Sequence, residues 1–251
     1  MIMDYDNVGV VILAAGKGTR MNSDIAKVLH KVSQKSMVVH VVGCALKIVR
    51  DNVYVVVGYQ AQKVKDEICK YFKVNFAVQK QLLGTGDAVK AAIPGLNPGI
   101  KDILVLCGDV PLIQEKTLKS LLEGHKNNKS KVTVLATDVD NPEGYGRIIL
   151  DDHNNLICIR EEADANENEK KINKVNTGIY CFDKAVLISV INELKPDNKQ
   201  REYYLTDVIE IAQKNHEKIA VITMDDPRQV IGVNTLDELI RAERLIEQLD
   251  K

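Results

Sequence analysis

The chain has 251 residues, of which 45% are apolar, and its formal charge at pH 7 is −1. That length allows one large domain or two lobes with an ample core, and the near-zero charge excludes the uniformly basic surface typical of nucleic-acid-binding proteins. No apolar run approaches the ~18 residues of a membrane-spanning helix. Five cysteines without CxxC spacing favour reduced thiols over a disulfide framework or a zinc site. We therefore expect a cytoplasmic protein with neither nucleic-acid nor membrane partners.

Apolar runs alternate with helical patterns along the whole chain. Strands are predicted at residues 8–13, 53–57, 74–78, 103–107, 131–137, 146–150, 156–160, 178–182 and 219–223. Helices are predicted at residues 37–50, 62–71, 85–92, 114–125, 184–193 and 205–214. Several strands are nearly continuous apolar runs, which is typical of strands covered by helices on both faces. The alternation predicts an α/β fold with a doubly wound, Rossmann-like, mostly parallel mixed sheet.

The first predicted strand ends in a loop of small residues, Ala-Ala-Gly-Lys-Gly at positions 14–18. Small residues let the backbone approach a ligand, and Arg20 and Lys27 follow within a few positions. Backbone N–H groups together with two cations make a site for a polyphosphate. Neither standard phosphate motif is present, because no GxxxxGK precedes a Ser or Thr and Met21 replaces the third glycine of GxGxxG. The alternative interpretation is a tight strand-to-helix turn with two surface cations.

Gln79 follows the predicted strand at residues 74–78 and precedes Gly-Thr-Gly at positions 84–86. A glutamine amide both donates and accepts hydrogen bonds, which suits the imide edge of a pyrimidine. The glycines allow the backbone to come close to a base, and Thr85 offers a hydroxyl group. The alternative is a glycine turn whose threonine caps the helix predicted at residues 85–92.

The predicted strand at residues 103–107 is followed by Gly108 and Asp109. Ligands of open α/β sheets bind beyond the carboxyl ends of the strands, so Asp109 is expected near the loop at positions 14–18. A carboxylate at that place can hold Mg²⁺ against phosphate oxygens, with Asn234 as a weaker second ligand. Alternatively, Asp109 lies in a turn or caps the next helix, and Asn234 caps the last one.

Polar residues and glycines cluster near strand ends in the second half of the chain. They occur in Gly-Tyr-Gly-Arg at 144–147, Ile-Arg-Glu at 159–161, Val-Asn-Thr-Gly at 175–178 and Glu-Tyr-Tyr-Leu-Thr-Asp at 202–207. Groups of this kind are suited to the hydroxyl and amide groups of a sugar. Each motif taken singly also has a structural interpretation, such as strand packing or helix capping.

Apolar residues with helical spacing mark a final predicted helix at residues 235–249. They are Leu236, Leu239, Ile240, Leu245, Ile246 and Leu249. This stripe predicts a helix that docks on its own domain, with a partner-binding helix as the alternative.

Taken in this order, the motifs closely resemble the uridylyltransferase half of the bacterial bifunctional enzymes that make UDP-N-acetylglucosamine, a group of sugar-1-phosphate nucleotidyltransferases. The resemblance extends from Val10 to about Asn234. It implies a nucleotide-binding lobe at about residues 1–110, a sugar-binding lobe at about residues 111–230 and the helix at residues 235–249. It also implies transfer of a uridylyl group from UTP to N-acetyl-α-D-glucosamine 1-phosphate, with release of pyrophosphate and with Mg²⁺ as the cofactor.

The resemblance further implies a role for each matching residue. Arg20 and Lys27 are the implied catalytic residues, and Asp109 and Asn234 are the implied Mg²⁺ ligands. The implied nucleotide-binding residues are Leu13, Ala14, Ala15, Gly16, Gly18, Thr19, Gln79, Gly84 and Thr85. The implied sugar-binding residues are Gly146, Glu161, Asn176, Tyr204 and Thr206. Two alternatives stay open: the same chemistry on another sugar 1-phosphate, and a regulatory protein that binds a nucleotide sugar without activity.

The chain departs from the family pattern at four places. Asp87 replaces the usual histidine, Ala26 replaces the usual proline, Arg201 stands where glycine is common, and Thr235-Leu236 replaces the usual pair after the asparagine. Of these, Asp87 is expected to add negative charge near the nucleotide.

The acetyltransferase half of the bifunctional enzymes is a hexapeptide β-helix, and this chain has no hexapeptide repeats. We therefore predict no acetyl transfer to glucosamine 1-phosphate and no trimer of the kind that this half forms. The expected state is a monomer or a weak dimer, with the two small-molecule substrates as partners.

Overall fold

The computed structural model describes residues 5–249, with side chains up to residue 246. The strands are β1 (Val8–Ala14), β2 (Lys31–Val32), β3 (Lys35–Ser36), β4 (Val53–Val57), β5 (Asn75–Val78), β6 (Asp102–Cys107), β7 (Val132–Asp138), β8 (Gly146–Leu150), β9 (Leu156–Arg160), β10 (Lys174–Asp183) and β11 (Ile219–Met224). The helices are α1 (Met37–Leu46), α2 (Ala61–Cys69), α3 (Thr85–Ala92), α4 (Glu115–Asn127), α5 (Lys184–Val190), α6 (Asp207–Lys214) and α7 (Leu236–Leu249).

A nine-stranded sheet runs through the whole fold, with the order β11-β7-β10-β6-β1-β4-β5 and the β8–β9 hairpin attached to β10. Strand β1 is parallel to both β4 and β6, and β4 is parallel to β5. Strand β10 is antiparallel to both of its neighbours in this order, and β11 is parallel to β7. The predicted mostly parallel, mixed sheet is confirmed.

Helices cover both faces of the sheet. The side chains of β1 show this, since they alternate between two apolar clusters on opposite faces. Val8, Val10 and Ile12 pack in one cluster with residues of α1, α2 and α4. Val11 packs in the other with residues of α3, α5 and α6. Period-two alternation with apolar residues on both sides is what a strand between two helix layers requires. The fold is therefore doubly wound, as the sequence predicts.

Strand β10 begins at Lys174, so the prediction that it starts at Gly178 is wrong. Its register shifts between Asn176 and Tyr180, and Gly178 lies there in the left-handed region with φ 75°. A glycine at a bulge reads in sequence as the end of a strand, although the strand continues past it. The bulge divides the edge of β10 between β8, which pairs before it, and β6, which pairs after it.

Helix α7 docks on its own domain, but only part of the predicted stripe takes part. Ala242 and Ile246 are buried against Val32, Met37, Leu112 and Val233, with Leu239 and Leu245 partly buried beside them. Leu236 and Ile240 are exposed, so the prediction that they belong to the docking face is wrong. The side chain of Leu249 lies outside the described residues. None of the helices between residues 5 and 249 is long and apolar enough to cross a membrane.

Candidate functional site

The loop after β1 and the end of β6 border one cavity of about 410 Å³. Leu13 pairs with Cys107, and Gly108 donates a backbone hydrogen bond to Leu13 at 2.9 Å. The carboxyl ends of these two parallel strands are thus adjacent, which is where open α/β sheets bind ligands. All of the predicted nucleotide-binding residues line the cavity, together with Lys27 and Asp109.

The predicted catalytic residues and the predicted metal ligands form one polar cluster beside this cavity. Lys27 Nζ donates to Asp109 Oδ2 in a close ion pair and to Asn234 Oδ1 at 2.8 Å. Arg20 Nη2 donates to the same Asn234 oxygen at 2.9 Å. Lys27 and Asp109 each have 17% of the side chain exposed, so the cluster is open to a ligand from the cavity. Arg20 and Asn234 do not line the cavity themselves and join it through Lys27.

The donor set of this cluster fits a hard divalent cation. Asp109 and Asn234 supply a carboxylate and an amide oxygen that already converge on one cation, Lys27. Mg²⁺ typically takes one or two protein oxygens and completes its shell with phosphate oxygens and water. Among the side chains of residues 5–246, no group of three or more acidic, histidine or cysteine residues is placed to hold a metal ion. One carboxylate and one amide oxygen suit a metal that binds together with a phosphate ligand.

The start of α7 holds Asn234 in place. Thr235 and Glu238 form a reciprocal cap: Glu238 N donates to Thr235 Oγ1 at 3.2 Å, and Thr235 N donates to Glu238 Oε2 at 2.9 Å. The same Glu238 oxygen accepts from Asn234 N at 2.6 Å, and Val233 N donates to the carbonyl of Asp109 at 2.9 Å. The capping box fixes the backbone at Asn234, and the bond from Val233 ties that segment to Asp109. The unusual Thr235 of this chain thus has a structural role.

Gln79 and the Gly84–Thr85 turn also line the cavity and lie next to each other. Gln79 is 5% exposed, and its Nε2 donates to Gly84 O at 3.0 Å and to Asp87 Oδ2 at 2.8 Å. Gly84 has φ 113°, and a Cβ there would lie 2.7 Å from the carbonyl oxygen of Tyr203. Glycine is therefore required for this turn to dock against the segment before α6. Asp87 does not line the cavity itself and contacts it only through Gln79.

The predicted sugar-binding residues gather where β8, β9, β10 and the start of α6 meet. Gly146 pairs with Asn176, and a methyl group on Gly146 would lie 3.4 Å from Glu161 Oε2. Thr206 Oγ1 donates to Glu161 Oε1 at 3.0 Å. The hydroxyl of Tyr204 donates instead to Gln200 Oε1 at 2.7 Å. Four of the five residues are thus in contact with one another, and Tyr204 lies on the adjoining segment.

Burial and neighbouring acids control the electrostatics of this second cluster. Burial raises the pKa of Glu161, with Thr206 opposing the shift and Asp207 adding to it. Burial, with help from Glu210, raises the pKa of Asp207 to about 6. Burial also raises the pKa of Cys107 to about 12, and Asp109 and Glu161 contribute to that shift. Cys107 lines the cavity at the loop after β1.

Two further departures from the family pattern have local explanations. Ala26 is buried, and its N–H donates to Gln60 Oε1 at 3.1 Å, a bond that a proline could not make. Gln60 Nε2 in turn donates to the carbonyl of Asp24 at 2.7 Å, which fixes the loop before Lys27. Arg201 has φ 55°, a left-handed conformation that glycine adopts more easily.

Six residues that line the cavity are not among the predicted site residues. They are Lys17, Val28, Leu82, Ala88, Cys107 and Glu202. Most of them adjoin a predicted motif, so proximity along the chain was the available signal. Glu202 lies far from the nucleotide motifs in sequence and reaches the cavity because Tyr203 N donates to the carbonyl of Leu83 at 2.7 Å.

Known proteins resemble this chain over nearly its whole length. Residues 9–241 match the nucleotidyl transferase family. The chain is 43% identical over 242 residues to the bifunctional protein GlmU of Clostridioides difficile strain 630, covering 96% of this chain and 52% of that protein. It is 42% identical over 241 residues to the bifunctional protein GlmU of Geotalea uraniireducens strain Rf4, covering 96% and 53%. The chain thus spans about half the length of these curated relatives.

A solved structure shares the fold at low sequence identity. The 4-diphosphocytidyl-2C-methyl-D-erythritol synthase of Anaerococcus prevotii superposes with a TM-score of 0.68, covering 97% of this chain and 100% of that chain at 16% identity. The resemblance that the motifs indicate is confirmed by relatives that align with nearly the whole chain. With its sheet, its cation-lined loop and its match over residues 9–241, the chain belongs to the nucleotidyl transferase family.

Proposed function

We propose that the protein transfers the uridylyl group of UTP to N-acetyl-α-D-glucosamine 1-phosphate, giving UDP-N-acetylglucosamine and pyrophosphate. The observation that carries the proposal is the convergence of Arg20, Lys27, Asp109 and Asn234 beside a cavity that Gln79 and Thr85 also line. Two cations and a metal-type oxygen pair suit the triphosphate of UTP, and the amide of Gln79 suits its base. The GlmU relatives support the same assignment.

The proposed reaction needs no general base. The nucleophile is a phosphate monoester whose second pKa is about 6, so its oxygens are already largely deprotonated at neutral pH. Catalysis then consists of alignment with the α-phosphorus of UTP and of charge neutralisation. Arg20 would stabilise the leaving pyrophosphate, and Lys27 would neutralise the α-phosphate and the incoming sugar phosphate. Glu161, Asn176 and Thr206 would orient the sugar through hydrogen bonds.

Nucleotidyltransferases of this family generally use a divalent metal. We propose that the metal is Mg²⁺ and that Asp109 and Asn234 hold it. Mg²⁺ would supply positive charge against the phosphate oxygens at this place. Lys27 would then leave the two oxygens and turn to the phosphates, since a single ammonium group cannot serve both.

The test is pyrophosphate release by the purified protein with UTP, Mg²⁺ and a panel of sugar 1-phosphates: N-acetylglucosamine, glucose and N-acetylgalactosamine derivatives. We expect release with the N-acetylglucosamine derivative that exceeds release with the other two and stops when Mg²⁺ is removed. Asp109→Ala should abolish the release while the protein stays folded. If another sugar phosphate is preferred, the chemistry stands and the substrate assignment is wrong. If no pair of substrates releases pyrophosphate, the proposal fails.

A further inference from the structure

Asp87 lies outside the cavity, but its carboxylate binds the side-chain amide of Gln79, which lines the cavity. Gln79 Nε2 donates to two oxygens, Gly84 O at 3.0 Å and Asp87 Oδ2 at 2.8 Å. Both partners only accept hydrogen bonds, because one is a backbone carbonyl and the other is a carboxylate. The amide nitrogen must therefore face them, and the orientation of the amide is fixed by chemistry and not by an arbitrary choice of atom names.

This arrangement leaves Gln79 Oε1 as the group that the amide can offer to a ligand. Both hydrogens of Nε2 are used, and among residues 5–246 none donates a hydrogen bond to Oε1. Gln79 is 5% exposed and lines the cavity, so its exposed part belongs to that cavity. An amide that could turn freely would offer a donor or an acceptor. Here it can only accept.

Thr85 lines the same cavity and keeps a donor for a ligand. Its Oγ1 accepts a hydrogen bond from Leu205 N at 2.9 Å, which leaves the hydroxyl proton available. The bases differ at the ring nitrogen that a fixed acceptor on Gln79 would meet. Uracil has an imide N–H there, which donates to an acceptor, whereas the corresponding ring nitrogen of cytosine is unprotonated and is itself an acceptor.

We propose that Asp87 is a positioning residue for base selection, which locks Gln79 with its oxygen toward the base and so favours uracil over cytosine. This inference rests on the proposed use of UTP. The carbonyl of Gly84 and the carboxylate of Asp87 favour the same orientation of the amide, and Asp87 is the charged and the shorter-bonded acceptor of the two. The negative charge of Asp87 is thus directed at the glutamine amide and not at the nucleotide.

Asp87→Ala tests the lock by removing one of the two acceptors. Dissociation constants for UTP and CTP are measured by calorimetry, and kinetic constants for UTP by pyrophosphate release. We expect the preference for UTP over CTP to fall roughly 10-fold, the size expected when a hydrogen bond to a charged partner is lost. The KM for UTP should rise while kcat stays near its wild-type value, because the base lies away from the reacting phosphorus.

Three further variants separate positioning from a merely structural role. Asp87→Asn retains an acceptor oxygen and should recover most of the preference. In a Gln79→Ala background, Asp87→Ala should have no further effect, because its action passes through the amide. Asp152→Ala removes a carboxylate from an exposed turn and serves as the matched control.

Several results would overturn the inference. Equal weakening of UTP and CTP binding, a loss confined to kcat, or an undiminished effect of Asp87→Ala in the Gln79→Ala background would each assign Asp87 a general structural role. A wild-type protein that is active with UTP, and whose base preference survives Asp87→Ala, refutes this inference alone. A wild-type protein that does not act on UTP refutes the proposed function as well.

Discussion

The positive charge of Lys27 compensates the negative charge of Asp109 in the site. Its ammonium group binds both Asp109 and Asn234, so the fold holds two metal-type oxygens near each other without leaving a carboxylate uncompensated. Arg20 approaches the same amide oxygen from 214 positions away in sequence. Side chains that pair with each other in this way can exchange partners when a polyphosphate and a cation enter together. The proposed substrates would replace these internal contacts.

Arg20 should act mainly on the transition state. Its charge would meet negative charge that grows on the leaving pyrophosphate, so Arg20→Ala should lower kcat roughly 10²–10³-fold with little change in the KM for UTP. Asn176→Ala, a change in one of the predicted sugar-binding residues, should instead raise the KM for the sugar phosphate. Steady-state kinetics on both variants distinguish the roles. If both change only the KM for UTP, the two assignments are wrong.

Asp207 should make stability depend on pH in a defined window. Its folded-state pKa is about 6 against an ordinary value of 3.8, so the folded protein binds this proton more tightly than the unfolded chain does. Stability attributable to Asp207 is therefore lost as the pH rises from about 4 to about 6. Asp207→Asn removes this loss, and relative to the wild type it should gain about 1 kcal/mol between pH 4 and pH 7, a value that allows for solvent screening.

Urea unfolding of the wild type and of Asp207→Asn at several pH values measures this difference directly. Asp152→Asn, in an exposed turn, should show no such trend. A constant difference in unfolding free energy between wild type and Asp207→Asn at every pH would mean that Asp207 titrates normally in the folded protein.

At the scale of single elements, α7 has two functions that its apolar pattern does not reveal together. Its buried face packs on the β2–β3 hairpin and on residues near Asp109. Its first turn carries the capping box that holds the backbone of Asn234. The helix thus supports a residue of the site from outside the main sheet.

Removing the capping carboxylate should weaken metal binding. Glu238→Ala loses the acceptor of both Asn234 N and Thr235 N, so we expect the Mg²⁺ concentration for half-maximal activity to rise about 10-fold, as for other residues that orient metal ligands. Glu238→Gln keeps an acceptor oxygen and should stay close to the wild type. Arg244→Ala, on the exposed face of the same helix, is the control. An unchanged Mg²⁺ requirement in folded Glu238→Ala would exclude this support.

The β2–β3 hairpin and the docking face of α7 could not be predicted, because their residues do not form a recognisable sequence pattern. The β2–β3 hairpin turns at Ser33 and Gln34, whose φ angles are 48° and 68°. Two-residue hairpins of this kind usually contain Asn or Gly, so Ser-Gln gives no turn signal. In α7 the docking residue Ala242 is too small to register in an apolar pattern, whereas Leu236 and Ile240 register and are exposed.

Across the whole molecule, contacts between neighbouring parallel strands could be predicted from the sequence, whereas contacts between distant segments could not. Asp109 was expected beside the phosphate loop because the carboxyl ends of parallel strands meet, and β1 and β6 are indeed neighbours. The contacts from Arg20 and Lys27 to Asn234 join segments more than 200 positions apart, and no local pattern encodes them. The docking of Glu202 and Tyr203 on the Gly84 turn is of the same kind.

The split edge of β10 brings the two halves of the site together. Strand β6 ends at the cavity, and strand β8 begins among the predicted sugar-binding residues. Both pair with the same edge of β10, on either side of the Gly178 bulge. The sulfur of Cys107 lies 3.4 Å from the carbonyl oxygen of Gly178, which closes the gap between them. One sheet therefore carries both predicted lobes, and their division by substrate stays a prediction.

The proposed function requires that an oxygen of the sugar phosphate attacks the α-phosphorus of UTP. N-acetylglucosamine 1-phosphate labelled with ¹⁸O at its terminal phosphate oxygens, incubated with UTP, Mg²⁺ and the protein, tests it by mass spectrometry of the products. We predict that UDP-N-acetylglucosamine carries all of the label and that pyrophosphate carries none. Label in pyrophosphate, or no labelled nucleotide sugar at all, would rule out this attack and the proposed function with it.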